Sequence, residues 1–214
     1  MMLKENLNSK YWNKYYKEKN LIAKPSKFAI FVKKKLKNYN GMLYDIGCGN
    51  GRDVIFFNNK KISCRGIDIS KQAILNNKKK FPFYQNSFIN SDLCNFFSNK
   101  LPCKNFSIYS RFSLHTINYK KENKLFDNLT KHKNLEYLFI ESRTLEDDLY
   151  GVGKKIGKHE FISSHYRRFI DTKVLKKKLI KNFKIMYFKK SKGFAKFKKE
   201  DPCVLRIVGK KKKI

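Results

Sequence analysis

The sequence predicts an α/β fold: a three-layer sandwich whose helices cover both faces of a mostly parallel sheet closed by an antiparallel hairpin. Three observations predict it. Short apolar runs alternate with stretches of helical period along most of the 214 residues, the signature of strand–helix–strand units. The first run, Leu43-Tyr44-Asp45-Ile46, leads directly into Gly47, Gly49 and Gly51, glycines that let a strand turn tightly into a helix. The last two runs, Phe183 to Phe188 and Val204 to Val208, have no helical period between them, which reads as a hairpin at the sheet edge.

The elements follow in order. Leu7, Tyr11 and Tyr15, with Trp12 and Tyr16 beside them, recur at helical spacing, and Phe28, Val32 and Leu36 mark a second helix after Pro25. A strand over 43–46, a helix at about 52–59 and a strand over 62–67 come next. Ser70 caps a further helix, followed by a short strand near 83–89, a strand over 106–110, a helix at about 120–131 carrying Leu125, Phe126 and Leu129, and a buried strand from Leu135 to Ile140. Residues 142–170 lack a clean period and contain Gly151, Gly153 and Gly157, so an inserted loop or small lid is expected there. Asp171 caps a helix with Val174, Leu175, Leu179 and Phe183. The count is seven strands, arranged as a helical cap over 1–40 and a main domain over 41–214 carrying the insert.

The glycine turn carries the chemistry. A dinucleotide site is built on G-x-G-x-x-G, with a helix N-terminus aimed at a pyrophosphate. This chain has G-x-G-x-G, with Asp45 two residues before the first glycine. A carboxylate there repels a pyrophosphate and suits an ammonium group. Asp68, 17 residues after Gly51, ends the next run and supplies an acceptor for a ribose diol. A ligand with a ribose, an α-amino group and no phosphate meets both requirements.

On these motifs the stretch from about 41 to 141 resembles the class I S-adenosylmethionine-dependent methyltransferases, and the likeness continues more weakly to the end. The resemblance implies a Rossmann-like fold with S-adenosyl-L-methionine as cofactor. It places the methionine part against Asp45, Gly47, Cys48, Gly49, Asn50, Gly51 and Arg52, and the ribose on Asp68 and Ile69. The adenine amine falls to Asp92, beside Leu93, although Asp92 also reads as a helix cap. The run Tyr11-Trp12-Asn13-Lys14-Tyr15-Tyr16 resembles the aromatic N-terminal helix of the tellurite-resistance and thiopurine-type enzymes, a small-molecule branch in which Tyr11 and Trp12 would close over the cofactor.

Composition bounds the remainder. Five cysteines without a C-x-x-C pair argue against a disulfide framework or a zinc site and for a reducing compartment. No metal is expected. Met1 to Lys10 is polar and no apolar run reaches the ~20 residues of a bilayer span, so the expected location is cytoplasmic. The net charge of +33 invites a nucleic-acid reading. Yet it comes from 43 Lys against 7 Arg spread over almost the whole chain, and Asn, Ile, Phe and Tyr are abundant too. These are the residues of A/T-rich codons, so a genome-wide bias accounts for most of the excess.

That bias makes the arginines informative, because a guanidinium offers a planar fork that lysine lacks. Arg52, Arg111, Arg143, Arg167 and Arg168 fall beside motifs or on loops expected at the ligand-binding edge, whereas Arg65 and Arg206 do not. In open α/β sheets that edge lies beyond the carboxyl ends of the strands. Four segments should meet there: the glycine loop, Ser110 to His115, Glu141-Ser142-Arg143, and His165-Tyr166-Arg167-Arg168-Phe169. Arg111, Glu141, Arg143, Arg167 and Arg168 are the expected substrate contacts. His165 or His115 is the expected base for a hydroxyl acceptor, with Tyr166 in reserve.

The segment Ser110-Arg111-Phe112-Ser113 departs from the N/D-P-P-Y/F turn of exocyclic-amine methyltransferases, and neither Pro102-Cys103 nor Pro202-Cys203 is placed as a cytosine-C5 nucleophile. The expected activity is therefore O-methylation of a small anionic metabolite such as a sugar or phosphorylated sugar. An RNA-modifying enzyme using the basic surface and a non-catalytic S-adenosylmethionine-binding protein are the alternatives.

Overall fold

The computed structural model describes residues 2–18, 24–99, 101–197 and 199–213, and of residues 2–8 the backbone alone; the side chain of Leu7 thus lies outside the described residues. Strands β1 (Met42–Ile46), β2 (Cys64–Asp68), β3 (Phe88–Asn90), β4 (Phe106–Arg111) and β5 (Leu135–Arg143) run parallel. Downstream of them, β9 (Phe183–Ser191) and β10 (Val204–Lys211) form the antiparallel hairpin, with β10 also antiparallel to β5. The order is β3-β2-β1-β4-β5-β10-β9. The chain winds outward from β1 in one direction and then from β4 in the other, so strand order reverses between these two neighbours. A crevice opens there at their carboxyl ends.

Side chains alternate across the sheet and build two cores. On one face Leu43, Tyr109 and Phe139 pack with Phe28 and Val32 of α2 (Lys27–Lys35), Val54 and Phe57 of α3 (Arg52–Asn59) and Ile74 of α4 (Lys71–Lys80). On the other, Tyr44, Ile46, Ile108 and Ile140 pack with Cys94 of α5 (Leu93–Phe96), Leu125 and Leu129 of α6 (Tyr119–Lys131), and Leu175 and Leu179 of α7 (Thr172–Leu179). Local chemistry sets the helix starts. Ser26, Ser70, Asp92, Asn118 and Asp171 each accept a hydrogen bond from a backbone N–H of the first turn of the helix that follows. Helix α3 alone of these begins instead from Gly51, in the left-handed region with φ 72°.

Three segments differ from expectation. The stretch read as a strand near 83–89 is a 3-10 turn over Pro82–Ser87, and the strand is only Phe88–Asn90; Pro82 lacks the donor a strand needs and Phe83 is 98% exposed. The second strand begins at Cys64 and runs on to Asp68, which carries that carboxylate to the sheet edge. The insert is not an open loop. Residues β6 (Lys154–Gly157), β7 (Glu160–Ile162) and β8 (Tyr166–Arg168) form a separate three-stranded antiparallel sheet. Its strands have three or four residues each, too short to show a period. Of the first 40 residues, α2 belongs to the sandwich itself. Helix α1 (Met2–Glu18) lies outside it, against α4.

A buried polar knot joins α2 to α3. Asp53 accepts from the Ser26 backbone N–H at 2.8 Å, the Ser26 hydroxyl at 2.7 Å and the Tyr109 hydroxyl at 2.7 Å. All three residues are buried. Replacing Asp53 with alanine strands two donors, since the Ser26 and Tyr109 hydroxyls lie 3.0 Å apart and can bond each other, so Asp53→Ala should lower the unfolding free energy by about 3 kcal/mol. Urea denaturation followed by far-UV circular dichroism measures it, and a loss below about 1 kcal/mol would show the knot is not fully formed.

Candidate active site

The crevice is a cavity of about 1070 Å³. Its floor is the glycine loop. A side chain at Gly49, where φ is 50°, would bring Cβ to 2.2 Å from the Tyr16 hydroxyl; at Gly47 it would meet Ser113 at 2.6 Å. These positions must be glycine for the loop, α1 and the segment after β4 to approach one another.

Asp68 holds the loop in place. One carboxylate oxygen accepts from the Gly49 N–H at 2.9 Å and the other from the Ser70 N–H at 2.8 Å. Burial pushes its pKa up while these N–H groups and that of Ile69 pull it down, and lone pairs remain for a diol. Asp45 is 3% exposed and faces the cavity; its carboxylate has no hydrogen-bond partner among the described residues. Burial first, then the neighbouring Asp53 and Asp68, raise its pKa well above the carboxylate range. A cationic ligand group beside it would satisfy the oxygen atoms and reverse that shift.

Asp92 lines the cavity as well. It caps α5 through Cys94 and Asn95 and pairs with Lys121 at 3.2 Å, as the helix-cap reading expects.

Helix α1 roofs the cavity with Tyr11, Trp12, Tyr15 and Tyr16. Asn13 fixes the roof, its side-chain oxygen accepting from the Ser70 hydroxyl at 2.9 Å and the Gln72 N–H at 3.1 Å. The Asn76 amide donates to the Tyr16 carbonyl at 2.7 Å. Tyr16 was not among the expected site residues; the only sign of it in the sequence was its place next to Tyr15 in the aromatic run.

At the other end stand Phe112, His115, Arg143, His165, Tyr166 and Arg167. His115 is 6% exposed and its Nδ1 has no partner. Burial, then the charges of Arg143, His165, Arg167 and Arg168, hold its pKa well below the usual histidine range, so it is neutral at pH 7. His165 stacks on Tyr11 with ring centroids 4.8 Å apart and takes a hydrogen bond with Ser164 at 3.0 Å; burial, Arg167 and Arg143 bring it down to about 4. The Tyr166 hydroxyl is buried without a partner, and burial and Glu160 push its pKa up, against its use as a base. Phe112 holds a φ of 56°, a strained setting for a bulky residue, with the Arg111 and Arg143 guanidinium groups 4.4 and 5.6 Å from its ring centroid.

Of the residues singled out in the sequence, Gly51, Glu141 and Arg168 do not line the cavity. The two charged ones serve the frame instead of an acceptor. Glu141 is buried between Arg111 at 3.0 Å and Arg206 at 2.6 Å. Arg168 pairs with Glu122, which also takes Lys178, and donates to the carbonyls of Leu114 and Ile117. Arg206 had been set apart from the motif arginines, yet it sits opposite Glu141 in the β5–β10 register. The hairpin pairing that reveals this is not visible in a single strand.

No protein-family model matches the sequence, and no curated protein matches it. Solved structures do share the fold. An S-adenosylmethionine-dependent methyltransferase from Methanosarcina mazei superposes with a TM-score of 0.65 at 16% identity, over 84% of this chain and 96% of that one. One from Clostridium acetobutylicum gives 0.63 at 14%, over 86% and 90%. The glycopeptide N-methyltransferase MtfA, in complex with S-adenosyl-L-homocysteine, gives 0.63 at 11%, over 91% and 93%. The chain thus has the Rossmann-like fold of these enzymes. Among the described residues there is no group of three or more His, Cys, Asp or Glu side chains placed to hold a metal. Nor is any helix long and apolar enough to cross a membrane.

The histidine shifts have a signed consequence for folding. The unfolded chain protonates His165 below about pH 6.5, whereas the folded chain does so only near 4. Between these values the unfolded state binds more protons, so the stability owed to neutral His165 is complete above pH 6.5 and is lost as pH falls toward 4. Relative to wild type, His165→Gln should therefore gain stability over that window. Urea midpoints at pH 8, 6 and 4.5 give the comparison, and a pH-independent difference would mean His165 titrates normally.

Proposed function

We propose that this chain is an S-adenosylmethionine-dependent methyltransferase acting on a hydroxyl of a small anionic metabolite. The observation that carries the reading is the pair of carboxylates flanking the glycine loop: Asp45, buried and unpartnered toward the cavity, and Asp68, with lone pairs to spare. They match the ammonium and ribose of S-adenosyl-L-methionine and oppose a phosphate. That this cofactor, its product and sinefungin are bound in the MtfA structures of the same fold supports the assignment.

Bound in this crevice, the cofactor supplies an electrophilic methyl group. The chain's own residues orient the two reactants, exclude water and handle one proton. The glycine loop and Asp68 hold one end, and the α1 aromatics cover it. Neutral His115, which lines the crevice, takes the acceptor's proton in this reading. His165, whose ring is stacked on Tyr11, serves to join the insert to the roof. The aromatic roof also favours the tellurite-resistance and thiopurine-like branch over a nucleic-acid enzyme, since it encloses the site. Arg143 and Arg167 at the far end supply charge for an anionic acceptor.

S-adenosyl-L-homocysteine should bind with micromolar affinity, about −7 to −8 kcal/mol, and Asp68→Ala should weaken it by about 10- to 100-fold. Calorimetry showing unchanged affinity in that variant would remove Asp68 from the ribose site. With an acceptor in hand, His115→Ala should lower kcat by about 10²–10⁴-fold while cofactor affinity survives, and His165→Ala should cost less. In wild type the acid limb of kcat/KM should lie well below pH 6.5, following the lowered His115 pKa. Full activity in His115→Ala with loss in His165→Ala would move the base to the insert. RNA binding that persists at physiological salt with dependence on RNA structure would favour the RNA reading instead.

A further inference from the structure

We infer that Arg143 and Arg167 form an oxyanion subsite that the chain fills with its own Glu200, a carboxylate standing where the anionic group of the acceptor binds. The word acceptor rests on the methyltransferase reading above; the subsite itself does not.

Both guanidinium groups line the same cavity. Arg167 has its pKa lowered by burial and then by the charge of Arg143, and supported by Glu200 and Asp147. Asp147, buried at 4% exposure, holds Arg143 through both oxygens on one nitrogen, at 2.9 and 3.1 Å. That bond fixes the fork and neutralises one cation. Glu200 accepts from the other Arg143 nitrogen at 2.7 Å, whereas Arg167 donates to the Ser163 hydroxyl at 2.8 Å and makes no ion pair among the described residues. The two acids differ in kind. Asp147 is part of the frame, while the Glu200 side chain is 66% exposed. It belongs to the connection between β9 and β10, whose Ala195, Lys196, Phe197 and Pro202 edge the same cavity. An exposed ion pair contributes little to folding, so an incoming oxyanion can replace this one at small cost.

The neighbourhood tells what such a ligand carries. His115, whose Nδ1 is buried and unpartnered, lines the same cavity and lies in the field of both arginines. A hydroxyl on His115 and an oxyanion on the arginine pair describe a hydroxylated carboxylic acid or phosphate ester, small enough to lie under the α1 roof. Swapping one anion for another leaves the net charge of the subsite unchanged, and no redox or covalent change is required.

The test uses the full chain and the imidazole signals of His115 in a two-dimensional NMR titration with inorganic phosphate and, separately, malonate. Either anion should shift those signals in wild type, and which one acts at lower concentration tells phosphate from carboxylate as the recognised group. Glu200→Gln should respond at about two- to five-fold lower anion concentration, the gain expected from removing an exposed competing carboxylate. Arg167→Gln, which leaves the Arg143–Asp147 pair intact, should need at least about tenfold more. Signals unmoved by both anions, or a Glu200→Gln response identical to wild type, would overturn the proposal. Calorimetry with S-adenosyl-L-homocysteine on the same samples tests the methyltransferase reading by itself. Its failure would leave the anion result standing, and the converse holds as well.

Discussion

Two hydrogen bonds to one carboxylate organise this site. Asp68 ends β2 inside the crevice and takes the N–H of Gly49 with one oxygen and that of Ser70 with the other. The first bond sets the path of the glycine loop. The second sets the start of α4, whose cap, Ser70, then uses its hydroxyl to hold Asn13. The roof helix is thus placed by the same residue that shapes the floor, through three links of ordinary length. None of the described α1 side chains belongs to either core, and this polar chain ties the helix to the sandwich.

The frame around the site was largely legible in the sequence, for reasons that are local. Runs such as Leu43 to Ile46 and Leu135 to Ile140 are mostly apolar, interrupted only by Asp45 and Glu136, because both sheet faces are covered. Ser70 and Asp171 announced their helices through their own side-chain chemistry. What stayed hidden depends on pairing between distant residues. The three-stranded insert has strands too short for a period, and the strand expected at 83–89 was an apolar run whose Pro82 and exposed Phe83 put it in a turn. In the site, the glycine loop and the two acids could be read from spacing. The sorting of the arginines could not, because it turns on which acid each one meets.

That sorting divides five motif arginines and Arg206 into two groups. Arg111, Arg168 and Arg206 are satisfied by Glu141, Glu122 and backbone carbonyls, and hold β4, β5, β10 and the insert in register. Arg52, Arg143 and Arg167 line the cavity, as Arg111 also does from its pair with Glu141. A buried ion pair adds little net stability over an apolar contact but is costly to break. The first group therefore specifies the frame, whereas in the second Arg143 is held by Asp147 and Glu200 at the cavity edge.

The burial of acids also alters how the molecule looks from a distance. The chain carries 17 acidic residues against 50 basic ones, and six of those acids, Asp45, Asp53, Asp68, Glu122, Glu141 and Asp147, are buried. The exposed surface is therefore more basic than the composition alone conveys, and the crevice is the place where arginines meet a low-dielectric wall. Field lines concentrate in such a crevice and draw anions toward it from beyond contact range. At the ~8 Å Debye length of physiological salt that reach shrinks to about the size of the mouth. Capture of an anionic ligand should accordingly be a collision process whose rate, more than its equilibrium, is set by ionic strength.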